Sequence, residues 1–154
     1  MKSLLTLSLL AVTLAITFLS PMTTHDLQAQ GRHPAYLHAL SDLRDARAHL
    51  QRPDGGALRA EESAAIHDID EAISEVKRAA IDDGKNIEDH APVDVHMPWA
   101  GRLHKAHDML DKARRDIAKE EDNPETRGLQ ARVLGHIDHA IHHVDAAIGV
   151  MESR

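Results

Sequence analysis

Histidine is the residue of this chain with the most chemistry to offer, and it is concentrated in one stretch. Gly135–Met151 reads GHIDHAIHHVDAAIGVM and carries His136, His139, His142 and His143. On an α-helix, spacings of three and four place His136, His139 and His143 within about 60° of one another. Imidazole nitrogens presented in that way chelate zinc, copper or nickel. His142, or a side chain from an adjacent helix, can complete the set. His136, His139 and His143 are therefore the expected metal ligands, set against an inert reading in which they form a solvated polar face. A second pattern occurs twice, as His38-x-x-x-Asp42-x-x-Asp45 and as His104-x-x-x-Asp108-x-x-Asp111. Its simplest reading is weak helix-surface pairing of residues four apart; its sharper one is metal ligation by imidazole and carboxylate.

Other chemistries lack their signatures. There is no G-x-S-x-G, no phosphate-cradling G-x-x-x-x-G-K-[ST], no G-x-G-x-x-G and no H-E-x-x-H. No glutamate is followed three residues later by histidine, so the pairing used by di-iron bundles is missing. No catalytic residue is assigned, and a non-enzyme is expected. Cysteine is absent, which removes disulfides, thiolate ligands and c-type haem attachment. A haem or small ligand in a helical core is the less favoured alternative, because the core-edge candidates His107, Met109, His136 and His143 do not point clearly inward. The net charge of −7 disfavours nucleic acid, whose binding rests on phosphate neutralisation by Lys and Arg.

These residues need elements to hold them, and the elements read as helices. Residues 1–29 have the pattern of a secretory signal: Lys2, an apolar run from Leu4 to Leu19, then a polar region ending near Ala29. A periplasmic or secreted protein is expected, with no stable membrane anchor once the signal is cleaved. The remaining residues, 30–154, read as one domain. Twelve histidines lie in it, and their full protonation would carry the charge from −7 to +5. The first helix runs from Pro34 to Leu50, with apolar residues at helical spacing. Gln51-Arg52-Pro53-Asp54-Gly55-Gly56 stops it. The second spans about 58–80 on a stripe of Ile66, Ile69, Ile73 and Val76. Residues 81–97 form a connection longer than the usual 2–8 residues, a functional loop or a strap across one end, or more simply, given its polar residues, a solvated linker. The third helix runs from Pro98 to about Glu120, with Trp99 closing one end of the core. Asn123-Pro124-Glu125 reads as a helix start, and the fourth helix runs to about Met151. No sustained period-2 alternation supports strands.

The helices repeat as pairs. Ile69-Asp70-x-Ala72-Ile73-x-x-Val76 matches Ile137-Asp138-x-Ala140-Ile141-x-x-Val144, with Ala79 answering Ala147. Leu37-His38, Asp42 and Asp45 match Leu103-His104, Asp108 and Asp111. Ala46-Arg47 matches Ala113-Arg114 if one residue is inserted at Lys112. Such self-similarity marks a duplicated unit. One hairpin cannot bury its stripe, so hairpin 1 (about 34–80) and hairpin 2 (about 98–151) are expected to pack as an all-α, antiparallel four-helix bundle. Taking each apolar stripe as the core direction, His38, Asp42, Asp45 and His49 fall about 180° away, and His136 and His143 flank the core at about 90–110°. An exported bundle that binds a transition metal through surface and edge histidines is the leading expectation. A structural or partner-binding module with pH-responsive histidine faces is the alternative, docking itself as a homo-oligomer or another exported protein.

Overall fold

The computed structural model of the chain describes residues 34–51, 60–82, 93, 96–119 and 128–153. The expected signal segment, the turn after Gln51, the Asn123-Pro124 helix start and most of the 81–97 connection lie outside them. Four helices follow one another: α1 (Pro34–Leu50), α2 (Ala60–Asp82), α3 (Trp99–Ile117) and α4 (Leu129–Glu152). They belong to one compact unit, Gly31–Arg154. No described helix is long and apolar enough to cross a membrane. Gly128 stands before Leu129 at the start of α4 in the left-handed conformation, φ 77°, a geometry that glycine adopts without steric cost.

The helices form a four-helix bundle in which α1 packs on α2 and α3, and α4 packs on α2 and α3. Cross-helix bonds fix the directions. Lys112 Nζ meets Asp42 Oδ1 at 2.9 Å, and the Arg102 guanidinium donates to the carbonyls of His49 and Gln51. Hence α3 runs antiparallel to α1. His143 lies by Glu61 and Arg132 by Glu75, so α4 runs antiparallel to α2. Every contacting pair is antiparallel, as expected. Trp99 Nε1 donates to Glu62 at 2.6 Å, and Trp99 packs against the core at that end. The starts of α2 and α3 are therefore neighbours, and those two diagonal helices run the same way. The end of α2 and the start of α3 consequently lie at opposite ends of the bundle.

The core consists of the expected stripes: Leu40, Leu43 and Leu50 on α1, Ile69 and Val76 on α2, Leu103, Leu110 and Ile117 on α3, and Val133, Ile137 and Val144 on α4. Between these, buried alanines recur every seventh residue: Ala39 and Ala46, Ala65, Ala72 and Ala79, Ala106 and Ala113, Ala140 and Ala147. A seven-residue step nearly restores the same face of a helix. Short buried side chains allow helix backbones to approach closely, and the most extensive packing is α1 on α3 and α2 on α4. The tightest pairings therefore join one hairpin to the other.

Burial also fixes the register of the duplication. Tyr36, Ala39, Leu43, Ala46 and Leu50 are buried where Leu103, Ala106, Leu110, Ala113 and Ile117 are buried, with no insertion at Lys112. The extra residue of hairpin 2 falls between its helices. The ion pair Arg47–Asp70, at 2.6 Å, recurs as Arg114–Asp138, also at 2.6 Å. In this register His38 and His104 are not equivalent, and the repeated His-x-x-x-Asp-x-x-Asp pattern is no common ridge. Asp42 is only 7% exposed and His49 only 3%, against the expectation that both face solvent. They lie in the α1–α3 seam, a direction that a stripe of apolar residues alone does not reveal.

That seam carries an electrostatic cost. Burial, and then the neighbouring Asp42, raise the pKa of Asp45 above its ordinary value of 3.8, only partly offset by His49, Lys105 and Lys112. Folding thus makes this carboxyl easier to protonate than it is in the unfolded chain. The penalty is full above the raised pKa and vanishes as pH falls below the unfolded value. Asp45→Asn is expected to stabilise the bundle at pH 7 by about 0.5 kcal/mol, a figure discounted for solvent screening. Denaturant titrations at pH 7 and at pH 3.5 check this, with the difference disappearing at the lower pH.

Candidate metal centre at the α2–α4 seam

Heptad spacing on α2 turns Glu61, Asp68 and Glu75 toward α4, on the flank of its apolar stripe. From α4 come Arg132, His136, His139 and His143. At one end His143 Nδ1 lies 2.7 Å from Glu61 Oε2. At the other, Arg132 Nη2 donates to Glu75 Oε2 at 3.1 Å. This bond from Arg132, outweighing partial burial, holds the Glu75 carboxyl below its ordinary pKa of 4.5.

Asp68 occupies the middle, with its side chain only 16% exposed. His136 Nδ1 is 3.7 Å and His139 Nδ1 3.9 Å from its Oδ1, while His143 Nε2 is 3.9 Å from its Oδ2. All three expected ligands are thus brought around one carboxylate. Their exposures differ: the His136 and His143 side chains are about one-third exposed and His139 is 74% exposed. The separations exceed the 2.7–3.2 Å of a nitrogen–oxygen hydrogen bond. No hydrogen bond reaches Asp68 among the described residues.

The spacings bear on metal chemistry. Nitrogen and oxygen donors about 2.0–2.1 Å from a tetrahedral ion stand about 3.4 Å apart. The distances to Asp68 are a few tenths of an ångström longer. As the side chains lie, no group of three or more among the described residues is close enough to hold an ion.

Asp68 is the residue that the sequence reading missed. Its signal was present in the duplication, where Asp68 aligns with His136 and Glu75 with His143. Antiparallel packing of equivalent helices brings equivalent positions together near the pseudo-twofold axis, so Asp68 meets His136. The remaining histidines are elsewhere. His107 Nε2 pairs with Asp145 Oδ1 at 3.4 Å in the α3–α4 seam. His38, His67 and His104 are exposed. The His142 ring stands 5.9 Å from that of His143, tilted by 57°.

No family model, no curated protein and no solved structure matches the chain. Function must therefore be argued from the site, since a helical bundle by itself implies none.

Proposed function

We propose that this protein is an exported, non-enzymatic helical bundle that binds one divalent transition-metal ion at the α2–α4 seam. Asp68, His136, His139 and His143 are the ligands. The supporting observation is the half-enclosed Asp68 carboxylate, which has three imidazole nitrogens at 3.7–3.9 Å and a hydrogen bond to none of them. A carboxylate and three imidazoles that face one another without a hydrogen bond make up a donor set that a cation held between them would engage. Several imidazoles with one carboxylate and no thiolate favour zinc, copper(II) or nickel over magnesium or calcium, which take oxygen ligands.

Titration of demetallated, untagged protein with zinc, copper(II) and nickel at neutral pH tests the proposal. One equivalent is expected to bind with a Kd below about 1 μM, corresponding to roughly 8 kcal/mol. His136→Ala and His143→Ala are expected to weaken it more than His139→Ala, whose ring is the most exposed of the three. Binding weaker than micromolar and indifferent to these substitutions would sink the reading.

A further inference from the structure

We infer that the protein associates head to tail with further copies of itself, the α1–α2 face of one copy docking on the α3–α4 face of the next. The inference goes beyond the metal-site reading and does not rest on it. The helices stand in the ring order α1–α2–α4–α3, so these two faces lie on opposite sides of the bundle. Each is marked by a surface ion pair, Arg47–Asp70 on one and Arg114–Asp138 on the other. Residues three, four and seven apart share one side of a helix. Ile66, Ile73 and Lys77 therefore flank Asp70 on α2, and Leu134, Ile141 and Asp145 flank Asp138 on α4. The four apolar side chains pack on the core but are only partly buried. The seam within each hairpin thus keeps some apolar surface open to solvent.

The charges around that apolar surface are opposite on the two faces. In the register fixed by burial, Arg44 is equivalent to Asp111, and Lys77 to Asp145. Arg44 and Lys77 are partly exposed, and neither takes part in a hydrogen bond or ion pair among the described residues. Asp111 and Asp145 are each about half exposed, and their partners stand off: Arg115 Nη1 is 3.9 Å from Asp111 Oδ2, and His107 Nε2 is 3.4 Å from Asp145 Oδ1. Both separations exceed a nitrogen–oxygen hydrogen bond, so the two carboxylates keep acceptor capacity. Asp108, one turn before Asp111, offsets Arg115. The Arg–Asp pair cancels on each side. Two positive charges remain on the α1–α2 face and two negative charges on the α3–α4 face.

A second copy is the partner that these faces fit. Equivalent positions of duplicated hairpins have matching spacing, so Arg44 and Lys77 of one copy are set to meet Asp111 and Asp145 of the next. Opposed charges steer such faces together and fix their register, and the isoleucines and Leu134 supply apolar area to bury. Like faces do not fit. Two α1–α2 faces would set cation against cation, and two α3–α4 faces acid against acid, which disfavours a closed twofold dimer through either. Because the complementary faces lie on opposite sides, every docked copy leaves one of each open. The association is therefore heterologous and adds copies in a row.

Sedimentation velocity of the protein over a range of concentrations tests this, with EDTA present so that no ion bridges copies. At low salt the weight-average sedimentation coefficient is expected to climb with concentration past the value for a dimer. It is expected to return to the monomer value in about 1 M salt, where charges are screened beyond about 3 Å. Arg44→Glu with Lys77→Glu makes both faces acidic, and Asp111→Lys with Asp145→Lys makes both basic. Each double variant alone is expected to associate at least about 100-fold more weakly. An equimolar mixture of the two is expected to associate again, since every contact then joins an acidic face to a basic one. Circular dichroism reports whether the variants are folded. If Arg44→Glu unfolds the bundle, Lys77→Glu and Asp145→Lys, alone and mixed, take the place of the double variants. A wild type that stays monomeric at every concentration, association indifferent to salt and to both reversals, or a mixture that stays monomeric where the wild type associates, overturns the inference.

Discussion

Ile69→Ala and Ile137→Ala are each expected to lower the unfolding free energy by about 2–5 kcal/mol, as for other large-to-small changes in packed cores. Both side chains are fully buried, and they occupy equivalent positions in the two hairpins. Each substitution removes apolar contact area and leaves a cavity that the neighbouring helices fill only in part. The buried alanines beside them, Ala72 and Ala140, are already small and offer nothing to swing into the void. A domain of this kind is held by only about 5–15 kcal/mol, and without cysteine it has no disulfide to compensate. Guanidinium unfolding followed by circular dichroism measures the change, with the slope against denaturant unaltered. A loss below about 1 kcal/mol at either site would show that the two hairpins do not share this core.

Asp68→Asn is expected to separate stability from binding. Zinc affinity should fall at least 100-fold, because the one carboxylate common to all three imidazoles is gone. The metal-free protein should change in stability by less than about 1 kcal/mol, since the carboxylate accepts no hydrogen bond from these imidazoles and an amide of the same shape can donate to one. Zinc should raise the melting temperature of the wild type by mass action and leave that of Asp68→Asn unchanged. If Asp68→Asn destabilises the metal-free bundle by more than 1 kcal/mol, Asp68 is a structural residue and the centre is misassigned.

The fold was legible because period and composition agreed. Isoleucine, leucine and valine at helical spacing marked the faces that became buried, and recurrent alanine fell among them. The pairing of α1 with α3 was harder. Three polar matches beginning at His38 and His104 suggested a register that the buried residues do not follow. Ala39 with Ala106, Leu43 with Leu110, Ala46 with Ala113 and Arg47 with Arg114 give the true one. Polar identities misled because a side chain such as Asp42 can be buried against Lys112 while Asp108 stays in solvent. The histidine ligands were visible from spacing within one helix. Their carboxylate was not, because Asp68 joins them through tertiary packing, and helical periodicity carries no information on which flank of α2 faces α4.

The central claim is that Asp68 and its three histidines hold a metal ion. The most direct measurement is elemental analysis of the protein purified from its source without a tag or a metal column, followed by zinc titration after demetallation. The account predicts close to one equivalent of zinc, copper or nickel, and rebinding with submicromolar Kd that is lost in Asp68→Asn. Metal at well under a tenth of an equivalent, together with zinc binding no tighter in the wild type than in Asp68→Asn, would contradict it.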